Sequence, residues 1–312
     1  MGLTDFLVAA AGLGRWVLPV GLATGVLMPG TAAILKPWLP EMAAALLFMS
    51  AFRIGIRQGI GSVRDLGRTV AILAVMQFAV PAATAGGLGA LSVPATPAIA
   101  AVLLVLAGSS ISGAPNICAL LGHHPALALR LLLVGTALLP LSVLAVFALW
   151  PALMGGRDVL PPVLRLMAAI LGGGTAGFAL RAAVERQLTP RRIAAIDGAS
   201  IVLLAVMVVG LMAEVGPALR DRPATLAGWL AFACALNFGL QIVTARALRG
   251  TVLGPDAGTI AVIAGNRNVA LFLIALPEDV IAPLLIFIGC YQIPMFLTPL
   301  LMGRFVGAAP RP

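Results

Sequence analysis

Charge is what this sequence lacks most. Only 10% of its 312 residues are Asp, Glu, Lys or Arg, against roughly 25% in a soluble globular domain. So thin a polar supply cannot clothe a water-soluble globule, and 61% apolar residues exclude a disordered chain. Lys36 is the only lysine, Tyr291 the only tyrosine, and aromatics make up 5%. Basic residues without interleaved aromatics give no nucleic-acid surface, despite a net charge of +9. Cys118, Cys234 and Cys290 all lie in apolar runs, which excludes a disulfide scaffold and offers no metal-ligand spacing. The chain has no His-Glu-x-x-His, no paired mid-segment carboxylates and no nucleophile beside a base, so no enzyme and no cofactor are expected.

What fills the chain is hydrophobic length, with a mean hydropathy of +1.09. Apolar runs lie near 14–29, 38–56, 69–91, 98–121, 126–150, 162–185, 198–216, 225–246, 257–276 and 280–303. Each approaches the roughly 20 residues that cross a bilayer as a helix. The first is short and contains Pro19, so its helix is expected to begin earlier, within Leu3–Leu13. The gaps are too short for a soluble domain, and no cleaved signal peptide is expected. A single all-α membrane domain over 1–312 follows. With both termini on one side, Lys36, Arg157, Arg165, Arg220 and Arg222 of the twenty basic residues fall on the far side. Arg267 falls inside a segment, and the other fourteen of the twenty lie on the near side. Basic loops stay in the cytoplasm, so an inner-membrane, multi-pass protein with both termini cytoplasmic is expected.

Two segments are not simple helices. The fourth contains Ala107-Gly-Ser-Ser-Ile-Ser-Gly-Ala-Pro-Asn116, and the ninth contains Ile263-Ala-Gly-Asn-Arg-Asn268. Irregular backbone at membrane depth must be buried in protein or line a cavity. Each break falls in the fourth segment of a five-segment half, 1–150 or 151–312. Interrupted helices at matching places in two halves point to a transport site near the midplane, and an odd number of spans per half makes the halves inverted.

These residues resemble the bile acid:sodium symporter family, as a divergent member. Ala74-Val-Met-Gln-Phe-Ala-Val-Pro-Ala-Ala-Thr84 is similar to its third helix. Ser112-Gly-Ala-Pro-Asn116 and Gly265-Asn-Arg-Asn268 stand where the family has its two crossovers. The resemblance implies ten helices in two inverted five-helix repeats, a core domain with crossing broken helices 4 and 9, and a separate panel domain. It also implies an organic anion carried in the cleft between them.

Gln77, Asn116, Thr136 and Asn268 match positions that supply sodium ligands in the family. Pro115, Leu131–Leu133, Ile263 and Arg267 stand where the family has a hydroxyl, a hydroxyl, a Glu and a Gln. Sodium wants oxygen ligands, and leucine and isoleucine offer none. Sodium is therefore doubtful as a coupling ion, and a fixed cation stands beside its site. An arginine inside a span is a functional candidate by default. Arg267 could replace the cation, donating to Asn116, Thr136 and the exposed carbonyls. It could instead pair a substrate carboxylate, or serve only as a structural pin. Glu41, Asp197, Glu214, Asp256, Glu278 and Asp279 all fall near segment ends, so none is an obvious counterion.

The expected substrate-binding set is Ser112, Asn116, Asn266, Arg267 and Asn268. The residual ion-site positions are Gln77, Asn116, Thr136 and Asn268. Asn237, Gln241, Gln292 and Thr298 are further polar residues within spans, and Asn237 and Gln241, four apart on one helix face, are expected to make interhelical hydrogen bonds. His123 and His124 are expected to have a loop role, and Gly172–Gly174 a packing or bending role. The leading expectation is a sodium-independent secondary transporter of a small organic anion, with Arg267 as its built-in cation. A sodium-coupled symporter using the residual ligands and a transport-inactive receptor or subunit are the alternatives. The partners are the anion and the bilayer, with no nucleic acid.

Overall fold

Proline and threonine set most of the helix starts. The computed structural model describes residues 2–54 and 63–306. Helices begin with Pro29, Pro97, Pro125, Pro190 and Pro223 in their first turn, where a missing N–H costs no helical bond. The Thr96 and Thr189 hydroxyls accept from Ile99 N and Arg192 N and cap two of these helices. Gly122 follows another helix end at φ +73°, a left-handed conformation that glycine adopts without strain.

In chain order the helices are α1 (Leu3–Gly12), α2 (Gly14–Leu27), α3 (Pro29–Ile54), α4 (Asp65–Ala90), α5 (Pro97–Ala107) and α6 (Ala114–Leu120). They continue as α7 (Pro125–Leu149), α8 (Leu160–Val184), α9 (Pro190–Asp221), α10 (Pro223–Leu248), α11 (Ala257–Gly265), α12 (Phe272–Ala275) and α13 (Glu278–Leu301). Seven of them, α3, α4, α7, α8, α9, α10 and α13, are long and apolar enough to cross a membrane. The chain is a multi-pass helical membrane protein. The described residues contain no β-strand, only one antiparallel bridge between Ser110 and Arg267.

The first apolar stretch is helical from Leu3, interrupted only at Leu13. Its helical content therefore begins before the apolar run at 14–29. α9 likewise starts at Pro190, eight residues ahead of its apolar run, and takes in Arg191 and Arg192. Charge at the end of a helix lies at the interface and does not stop the helix there.

The helices pack as two groups. α1 and α2 lie along α9, and α3 lies along α8 and α9. Ion pairs fasten this group at several points: Lys36 with Glu214 at 2.8 Å, Arg53 with Asp197, and Arg191 with Asp5. The second group sets α7 against α4 and α6, and α10 against α11 and α13. Inside α4, residues 74–79 form a π-helical turn. Pro81 cannot donate to the carbonyl of Gln77, which opens the helix there. Gln77 is fully buried in that turn.

Candidate functional site

The site is built where two interrupted segments cross. α5 ends as Gly108 turns extended (φ −60°, ψ 150°), and α11 ends at Gly265. The two extended pieces that follow pair in antiparallel fashion. Ile111 N donates to Asn266 O at 3.1 Å, and Asn268 N donates to Ser109 O at 2.7 Å. Ser110 and Arg267 face each other between these bonds as a non-hydrogen-bonded pair. The crossing thus gives each interrupted segment backbone partners inside the protein.

This pairing is reciprocal. Ala107-Gly108-Ser109-Ser110-Ile111 runs parallel in sequence to Ala264-Gly265-Asn266-Arg267-Asn268. Exchanging 109 with 266 and 111 with 268 converts one hydrogen bond into the other. Ser110 and Arg267 sit at the centre of that exchange, so the charge stands where the two interrupted segments cross.

Arg267 is 2% exposed. Its Nε donates to Ala264 O at 3.1 Å, and its Nη1 donates to Gly108 O at 2.9 Å. Both carbonyls belong to the C-terminal ends of half-helices, α11 and α5. A helix carries partial negative charge at its C-terminus, equivalent to about half an electron. Two such ends therefore converge on one guanidinium. The forked donor suits this, since Nε and Nη1 point in fixed, different directions. The expected exposed-carbonyl partners are present. The bonds drawn to Asn116 and Thr136 are not, because the guanidinium turns back towards the helix ends. Among the described residues no carboxylate pairs with Arg267.

Amides and hydroxyls support each half-helix end. Gln77 Nε2 donates to Gly135 O at 2.8 Å and reaches Ser142 Oγ at 3.4 Å. The Ser142 hydroxyl lies 3.0 Å from Ala107 O, at the end of α5. On the other side Asn237 Nδ2 donates to Gly265 O at 2.5 Å, and the Tyr291 hydroxyl donates to the same carbonyl at 2.6 Å. Gln241 Nε2 donates to Asn237 Oδ1 at 2.7 Å and to Thr298 Oγ1 at 3.1 Å. Thr298 Oγ1 lies 3.2 Å from Asn266 Oδ1. Asn237 and Gln241 thus make the expected interhelical bonds, Gln241 to Thr298. Gln292 donates within α13 to Ile288 O.

The expected substrate set divides in two. Asn266 and Arg267 are buried, and the Asn266 side chain donates to Val262 O at 2.8 Å. Ser112 and Asn116 are exposed, and Asn268 and Thr136 are half-buried. Ser50 of α3 donates to Ser112 Oγ at 3.3 Å, a contact between the two helix groups. Ser142, Ser109, Ser110 and Tyr291 belong to the site as well. The repeated Ala-Gly dipeptide is a signal for Ser109 and Ser110, and no sequence signal marks the roles of Ser142 and Tyr291.

The tip after α6 rests on the start of α11. The His123 ring packs on Gly258, where a Cβ would overlap the ring, and His124 N donates to Thr259 Oγ1 at 3.1 Å. Burial, and then the neighbouring His124, hold the His123 imidazole below its ordinary value near 6.5. The unfolded chain therefore binds the proton at a higher pH than the folded one. Folding stability should fall as pH drops from about 6.5 through the folded value. Melting temperature followed over that window checks this, and His123→Gln should flatten the slope.

No family model matches the chain, and no curated protein matches it.

Proposed function

We propose that this protein is a secondary carrier of a small organic anion that works by alternating access without sodium, with Arg267 as its resident cation. The observation that carries this reading is Arg267, buried between two half-helix carbonyl ends and, among the described residues, without a carboxylate partner. A charge at this depth costs about 2.5–3.5 kcal/mol on insertion scales. Helix dipoles offset part of that, and an anion in the adjoining cleft offsets the rest. Ser112, Asn116 and Asn268 supply neutral donors on the accessible side.

The proposed architecture has ten spans in two inverted halves, 1–150 and 151–312. The seven long helices are joined by α1 with α2, by α5 with α6, and by α11 with α12. Packing supports the inversion. The first span pairs with the seventh and the second with the sixth, so each pairing is the other with the halves exchanged. The first group, α1–α3 with α8 and α9, is the proposed panel, and the second is the proposed core.

The two broken segments differ in their contact with the panel. Residues 269–275 pack on α3 and α8 and are buried apart from a half-buried Ile274. α6 packs on α7, α11 and α13, and leaves Asn116, Ala119 and Leu120 exposed. The cleft is therefore more accessible from the α6 end. The basic bias of the sequence assigns that end to the cytoplasm of an inner-membrane protein.

Sodium coupling has one observation in its favour. Gln77 Oε1 and Ser109 Oγ are buried without a hydrogen-bond partner. Uptake separates the two readings. A carboxylate chosen by thermal-shift screening should enter proteoliposomes equally in sodium chloride and choline chloride. Loss of uptake in choline overturns the sodium-free reading, and binding without counterflow makes the protein a receptor.

A further inference from the structure

A polar cavity lies away from the crossing. It measures about 400 Å³ and is lined by Arg68, His124, Ala126, Leu127, Arg130, Val252, Pro255 and Asp256. Three elements meet there: the first turn of α4, the first turns of α7, and the loop that leads into α11. Arg68 Nη2 lies 2.6 Å from Asp256 Oδ2, and His124 Nδ1 lies 3.7 Å from Oδ1 of the same carboxylate. Asp256 is buried, so this carboxylate is committed to the protein.

Arg130 is placed differently. Its nearest carboxylate oxygen, on Asp65, is 3.5 Å away, beyond the 2.7–2.9 Å of a good charge-assisted bond. Its side chain is 19% exposed, and its Nε is buried with no hydrogen-bond partner. Its guanidinium, held by this long ion pair, lines the same cavity as a second guanidinium and an imidazole. That donor set suits a phosphate oxygen, which accepts from a planar fork.

We propose that this cavity binds the phosphate headgroup of an anionic phospholipid. The position selects a lipid over a soluble phosphate. The cavity lies at the ends of membrane-crossing helices, where headgroups lie. Half of its lining is apolar, and Val252, 91% exposed at the rim, offers a contact for acyl chain. Basic pockets between helix ends are suited to anionic headgroups, and each basic residue contributes about fivefold in affinity. The inference is independent of what the protein carries. A headgroup there would tie α4 and α7 to the start of α11, where the tip after α6 also rests through His124 and Thr259.

The test uses the full-length protein purified in detergent. Phosphatidylglycerol should raise its melting temperature more than phosphatidylcholine does. Arg130→Gln should remove most of that difference, and native mass spectrometry should show about fivefold weaker retention of phosphatidylglycerol. Ala126→Glu sets a carboxylate on the exposed rim at a helix N-terminus, where it is tolerated. It should repel the headgroup and gives the same readout if Arg130→Gln fails to fold. Equal shifts from the two lipids, or a phosphatidylglycerol shift undiminished in both variants, overturns the proposal. A full shift from millimolar inorganic phosphate alone assigns the site to a soluble anion and overturns the lipid.

Discussion

Arg267→Gln should destabilise the purified protein by about 1–3 kcal/mol, the cost of a buried carbonyl left without its donor. The sign of the effect needs an argument, because removing a buried charge also removes its desolvation. In a membrane the helix carries its arginine into lipid before it packs, so much of that penalty is present in the unpacked state as well. The bond from Nε to Ala264 O is local, three residues back in the same chain. The bond from Nη1 to Gly108 O forms only when α5 and α11 meet. A glutamine amide is too short to serve both carbonyls. Arg267→Met should cost more than Arg267→Gln, since it serves neither. Arg267→Lys keeps the charge but not the fork, and should fall between wild type and glutamine. Thermal unfolding of the four proteins in one detergent checks the order.

Gly265→Ala should cost about 2 kcal/mol or more, the range of an overpacked core. A Cβ at residue 265 would overlap the Asn237 carbonyl oxygen and stand 3.0 Å from Gln241 Nε2. The first obstacle is α10 backbone, which cannot rotate away as a side-chain tip can. The same displacement would stretch the bonds that Asn237 and Tyr291 donate to Gly265 O. Gly172→Ala makes the contrast. Nothing lies within 4 Å of a Cβ there, and alanine is the better helix former by about 1 kcal/mol. That variant should be neutral or more stable than wild type. Equal effects at the two glycines would mean that the close approach of α10 to the crossing is wrong.

Much of the fold could be read directly, because hydrophobic length is a one-dimensional signal. The apolar runs at 126–150, 162–185 and 225–246 correspond to α7, α8 and α10 within a few residues. Helix ends were less legible where charge lies at an interface, as at Arg191 and Arg192 in α9. The interruptions at Ala107–Asn116 and Ile263–Asn268 were visible because serine, glycine and asparagine are out of place in a span. Their pairing was not visible, since the bonds between Ser109, Ile111, Asn266 and Asn268 join residues more than 150 positions apart. Arg267 could be singled out by its charge alone. The direction it points could not, because Gly108 and Ala264 offer only backbone, and backbone carries no residue identity. Ser142 and Tyr291 were hidden for the same reason: each addresses a carbonyl at a helix end.

The most direct test measures melting temperature for wild type and Arg267→Gln in sodium chloride and in choline chloride. A resident cation makes wild type indifferent to the exchange, while the variant melts lower and recovers in part with sodium. Wild type stabilised by sodium over choline, or a variant as stable as wild type in both salts, would contradict the assignment of Arg267 to the cation's place.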